Sequence, residues 1–226
     1  MRAIFEFGKC GRLSYISHLD LQRFMMRAIR RTDLPVSYSQ GFNPHPHIAF
    51  ASALAMGWQS DVELMDIRMT RDIDAAHALD QMRRALPDEM PVHRVRLVDD
   101  KFPALMAMLV MADYRVTFLQ EPGERISQAV GDFMSRDEVM AMRKTKSGER
   151  EINIRPLAIS LSVSDQGELL ARLMLTPEDT LKPDLLTDTL IRMAGCEGIE
   201  YRIRRESLLG RDPNGTITPL MEIQAP

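Results

Sequence analysis

Apolar residues in this chain switch between a spacing of two and a spacing of about 3.6, in the same order twice. That order constrains the fold more than any single motif does. The opening AIFEFG alternates as a strand, and Leu13–Ile16 adds a short apolar stretch. Ser17 then starts a helix, with Asp20 at capping-box spacing. Leu21, Phe24, Met25, Ala28 and Ile29 recur on one helical face, and Pro35 ends it. Ile48–Leu54 and Val62–Met69 read as strands, and Asp72 or Asp74 caps a helix reaching Ala85. Val92–Leu97 closes a β-α-β-β-α-β order, the ferredoxin-like arrangement. The second half repeats it. Tyr114–Leu119 reads as a strand, Glu124–Met142 as mostly helix, and Thr145–Glu151 as a polar turn. Ile152–Val163 and Leu169–Leu175 form a hairpin around Asp165-Gln166-Gly167. Lys182–Ala194 reads as a helix and Glu200–Arg205 as the closing strand. The expected class is α+β: two tandem ferredoxin-like (βαββαβ) domains with antiparallel sheets, spanning 1–100 and 110–210. Residues 211–226 are expected to be a loose tail. A single larger α+β domain is the alternative.

The length of 226 residues and 45% hydrophobic content suffice for one large core or two small ones. No apolar run of about 18 residues marks a membrane helix, and the opening residues lack a signal-peptide pattern. Cys10 and Cys196 suggest free thiols in a reducing compartment, so a cytoplasmic protein without membrane contact is expected. The net charge of −3 argues against indiscriminate nucleic-acid binding. Its distribution is uneven, because residues 1–50 hold seven Lys/Arg against three Asp/Glu. A local basic face on an acidic chain suits selective RNA contact or an acidic protein partner.

The basic residues concentrate on the first helix. On a helical wheel Arg23, Arg27, Arg30 and Arg31 lie opposite Leu21, Met25 and Ala28. They read as a cationic stripe for phosphate or carboxylate, or as a solvated face with favourable charges near the helix end. His18 opens the same helix and is either a general base or a hydrogen-bonded structural residue. The following loop reads Gly41-Phe42-Asn43-Pro44-His45-Pro46-His47. Its prolines restrict themselves and the residues before them, which holds Asn43 and His45 in few backbone states. Such rigidity suits a binding side chain. It also suits a plain turn that packs Phe42 inward. His18, His45 and His47 offer imidazoles, but no carboxylate or thiol stands at a familiar metal spacing, so no metal or other cofactor is expected. A second basic patch comprises Arg143, Lys144, Lys146, Arg150 and Arg155, interleaved with Glu149 and Glu151. It reads as a ribbon contacting RNA or a partner, or as solvated charge. Walker A, GxGxxG and GxSxG motifs are absent, as is a CxxxCxxC cluster motif.

The residues Ser17-His18-Leu19-Asp20, Arg23, Arg27-Ala28, Arg30-Arg31, Leu34-Pro35 and Gly41-Phe42-Asn43-Pro44-His45-Pro46 carry a resemblance, extended by Gly57 and Glu63. The chain resembles the radical-SAM-linked family of unknown function, found beside or fused to radical SAM proteins. Ile152-Asn153-Ile154-Arg155-Pro156-Leu157 also resembles that family, where Asp is expected at 153 and Lys or Arg at 47. The resemblance implies a radical SAM protein as partner and transfers no settled activity. A weaker likeness, at the level of fold, is to repeat-associated RNA-processing proteins, some of which cleave RNA with a histidine near the first helix.

The expectation is therefore an accessory or substrate-recognition protein rather than an enzyme in itself. Arg23, Arg27, Arg30 and Arg31 would meet phosphate or a partner's carboxylates, and Asn43 and His45 would hydrogen-bond a specific group. The alternatives are metal-independent RNA processing, with His18 or His45 as general base, and protein docking without RNA.

Overall fold

The computed structural model describes residues 1–145 and 148–224. The chain divides into two units, Met1–Leu109 with Leu208–Pro226, and Val110–Ser207. The first unit therefore recruits the chain's end, beyond the expected 1–100. Both units mix strands with helices, and their strand pairing is mostly antiparallel.

In the first unit β1 (Arg2–Lys9) runs between β4 (Val92–Val98) and β3 (Gln59–Arg68). The short β2 (Ile48–Phe50) pairs with the end of β3. Helix α1 (His18–Ile29) joins β1 to β2, and α2 (Ala75–Ala85) joins β3 to β4. Ser17 caps α1 by accepting from the Asp20 amide at 3.1 Å, and Asp74 caps α2 by accepting from His77 at 2.7 Å. Alternation along β1 and β3 sends Phe5, Phe7, Met65 and Ile67 toward the helices. There they pack with Leu21, Met25, Ile29 and Met82. Methionine fills much of this core, as an unbranched side chain can.

The opposite face of the same strands is charged. Arg2 donates from Nε to both Asp66 oxygens at 3.0 and 3.1 Å and also binds the Phe102 carbonyl. Arg94 pairs with Glu6 at 2.8 Å. The chain's end covers these groups. Strand β10 (Tyr201–Arg211) finishes against β11 (Ile217–Pro219), and Leu220, Met221 and Ile223 are buried. Arg96 donates to the carbonyls of Met221 and Ile223 at 2.9 and 2.5 Å. Of the expected loose tail, the part through residue 224 is thus a packed element, and residues 225 and 226 lie outside the described residues. Its apolar side chains follow a polar turn, so the last stretch reads as solvent-exposed until its partners are seen.

The second unit places β5 (Leu109–Phe118) between β10 and β9 (Leu169–Met174), with β8 (Ala158–Val163) outside β9. A four-residue helix α3 (Leu105–Met108) precedes β5. Helices α4 (Glu124–Ser135) and α5 (Pro183–Met193) complete the unit. The expected long helix to Met142 stops at Ser135. Residues beyond it form a separate ribbon of β6 (Met140–Thr145) and β7 (Gly148–Asn153). Asn153 bends the chain there, its Oδ1 accepting from the amides of Val139 and Arg155 at 3.0 and 3.1 Å. The short apolar stretch Leu13–Ile16 lies largely in a 3-10 turn at Gly11–Tyr15, where Gly11 adopts φ 56°.

Gly210 shows how closely the C-terminal segment fits. A Cβ there would lie 2.7 Å from the Met108 carbonyl oxygen and 2.5 Å from the Ile223 side chain. Gly210→Ala is expected to cost about 2 kcal/mol. Urea denaturation read by circular dichroism checks this, and an unchanged midpoint would mean the segment is loosely held.

Candidate functional site

The loop following α1 is built as a clamp with a free tip. Its two arms lie on the end of β3. Ser37 N–H donates to the Arg68 carbonyl at 2.8 Å, and Arg68 N–H donates to the His47 carbonyl at 3.0 Å. The arms also bind each other. His47 N–H donates to Ser37 O at 2.9 Å, and Ser39 N–H donates to His45 O at 2.8 Å. His45 N–H reaches Ser39 Oγ at 3.0 Å, and Ser37 Oγ lies 3.0 Å from His47 Nδ1. Residues 40–44 form the tip, and Gly41 turns it with φ 122°. Phe42 is fully exposed, at 109% of its reference area. The plain turn that packs Phe42 inward is therefore not what forms. Asn43 and His45 are exposed beside it.

The arginine stripe does not act as one group. Arg23 pairs with Asp20 at 3.4 Å. Arg31 turns to the end of α2 and donates to the Ala85 carbonyl at 2.5 Å. Arg27 and Arg30 are exposed and form no ion pair among the described residues. No hydrogen bond or ion pair joins them to the loop tip among the described residues.

His18 sits half-buried at the start of α1. Its ring meets Phe50 edge-on at 5.4 Å, and its Nε2 lies 3.1 Å from the Gln22 amide nitrogen. Phe50 in turn meets Phe7 edge-on at 6.4 Å. Lys9 and Glu63, to which the sequence assigned no buried role, are 1% exposed on the two strands beneath this helix end. Lys9 Nζ lies 3.5 Å from the Ile16 carbonyl, and Glu63 stands opposite Phe7. The signal was available: Lys9 continues the inward alternation of Phe5 and Phe7, and Glu63 precedes Met65 and Ile67. Buried ionic groups at such positions require partners.

The second basic patch divides in the same way. Arg143 donates to the Thr180 carbonyl. Arg155 donates to the carbonyls of Met134 and Ala158 at 3.0 and 3.2 Å. Lys144 and Arg150 are exposed, Arg150 opposite Arg143 across the ribbon. Lys146 lies outside the described residues. The Ile152–Leu157 motif thus works as a bent joint rather than a basic surface. Among the described residues no three His, Cys, Asp or Glu side chains gather to hold a metal ion, and no helix is long and apolar enough to cross a membrane.

A family model described as an uncharacterized protein conserved in bacteria (DUF2344) matches residues 2–183. No curated protein matches the chain.

The two candidate histidines are expected to respond differently to removal. His18→Ala should cost about 1–2 kcal/mol, because it empties a half-buried packing position against Phe50. His45→Ala should stay within about 0.5 kcal/mol. Chemical denaturation of both variants checks this, and equal losses would contradict the placement.

Proposed function

We propose that this chain, which belongs to the DUF2344 family of uncharacterized proteins conserved in bacteria, is a recognition protein for single-stranded RNA. One observation carries the proposal: the loop spends hydrogen bonds holding both arms, yet presents Phe42 wholly to solvent. Folding gains nothing from a solvated phenyl ring. A nucleobase stacked on it recovers that area, and stacking on an aromatic ring contributes about 1–3 kcal/mol per base. Asn43 supplies an amide that can bond a base edge, and His45 a further donor or acceptor. Arg27 and Arg30, exposed and without an ion pair among the described residues, are the groups to meet phosphate. Arg23 and Arg31 keep structural contacts and have a lesser part. Lys144 and Arg150 are the exposed cations of the ribbon.

The element order of both units supports a finer description of the fold as two ferredoxin-like units. The first reads β-α-β-β-α-β with β1 between β4 and β3, and the second repeats this with the ribbon inserted after α4. The accessory role beside a radical SAM protein rests on the likeness of the Ser17–Pro46 residues to that linked family. Catalysis of RNA cleavage by His18 is disfavoured by its packing against Phe50, which leaves His45 as the histidine open to a ligand.

Fluorescence anisotropy with short single-stranded RNA across a salt series tests the proposal. Arg27→Glu with Arg30→Glu should lower the salt slope by roughly one to two. Phe42→Ala should weaken binding about tenfold with the slope unchanged, because stacking releases no counterions. Binding that ignores both changes would overturn the reading. Retention of a radical SAM protein without RNA would favour pure docking.

A further inference from the structure

We infer that the free edge of β2 accepts an extended peptide strand from a protein partner, one carrying an apolar residue with an acidic residue two positions away. The inference is independent of the RNA reading. It begins with the ladder between β2 and β3. Arg68 N–H donates to His47 O, and Ala51 N–H donates to Leu64 O, both at 3.0 Å. Those two bonded pairs make Ala49 and Asp66 the bonded pair between them. Ile48 and Phe50 therefore aim their N–H and C=O groups away from β3. β2 has no other strand partner among the described residues.

A cavity of about 460 Å³ lies against β2 and over the charged face, where Arg2, Asp66 and Arg68 also line it. It touches His47, Ile48, Ala49 and Phe50 in succession, and Ala104, Leu105 and Met106 line it as well. Side chains alternate along a strand, so a hollow that meets four consecutive residues of β2 reaches its backbone as well as the Asp66 face. Backbone groups at that spacing complement another strand better than a compact small molecule.

The side chains specify what the strand carries. Ala49 shares a face with Asp66, whose charge is taken by Arg2. The small Ala49 leaves room there, and Leu105 and Met106 supply apolar contact. A partner residue opposite Ala49 places its side chain in that room and is apolar. One rung along, His47 and Arg68 share the same face. Arg68 is half exposed, and its contact to Asp100 is 3.5 Å, while Asp100 holds the N-terminal ammonium at 2.8 Å. A partner residue opposite His47 meets this cationic end and is acidic.

Selection of displayed random peptides of about eight residues against the full chain tests this. Enriched peptides should share an acidic and an apolar residue separated by one position. A synthetic copy, followed by anisotropy, should lose at least about tenfold in affinity for Ile48→Pro, which deletes an outward N–H and leaves the ladder to β3 intact. Ala49→Leu fills the room without altering the backbone and should cause a similar loss, which guards against misfolding of the proline variant. Binding should slow hydrogen exchange at the Ile48 and Phe50 amides. No enrichment over bare support, or variants that bind the peptide as tightly as the unaltered chain, would overturn the inference.

Discussion

The peptide groups of Arg68 hold the candidate site together. Its carbonyl takes the Ser37 amide and its own amide binds the His47 carbonyl, so one residue of β3 grips both arms of the loop. β3 can do this because it is itself fixed by β1 along its length. The register Phe5↔Met65 and Ala3↔Ile67 is set by the core beneath α1 and α2. A slip of one residue would turn Met65 and Ile67 to the charged face. The shape of the tip thus depends on hydrophobic packing several residues away. Ordering the loop costs conformational entropy during folding rather than on binding.

The first unit also shows how a sheet with two incompatible faces is stabilised. The helix face is apolar except where Lys9 and Glu63 lie beneath the start of α1. The other face carries Arg2, Asp66, Glu6 and Arg94 in pairs, with the C-terminal segment over them. Burying such charges without partners would cost several kcal/mol each. The second unit uses similar pairs. Arg172 grips Asp113 at 2.7 and 3.0 Å, and Arg115 binds both Glu206 and Glu168. The Arg115 guanidinium holds the Glu168 carboxyl below the usual carboxylate range, helped by the Thr117 hydroxyl.

Local chemistry was legible in the sequence wherever near neighbours decide it. The Ser17 cap, the inward face of α1 and the hairpin of β8 and β9 depend on residues close in the chain. Long-range pairing was less legible. Met140–Met142 is a local exception, because a short apolar run suits a helix end as well as a strand until its pairing with Glu151–Asn153 decides. The C-terminal residues looked loose because their partners, Arg96 and the charged sheet face, lie more than a hundred positions earlier. At the site, the wheel placed four arginines on one side of α1. It could not show Asp20 and Ala85 removing Arg23 and Arg31 from the stripe. The prolines announced a rigid loop but not the direction in which Phe42 points.

On the proposed reading, the held loop with its exposed Phe42, and the exposed Arg27 and Arg30 of α1, would meet a ligand with flat rings and negative charge. The most direct measurement is ultraviolet crosslinking of the whole protein to uniformly labelled single-stranded RNA, followed by mass spectrometry of the adducts. The account predicts that the dominant adduct lies on the peptide containing Phe42. Adducts confined to other peptides, or none above a protein that does not bind RNA, would contradict it.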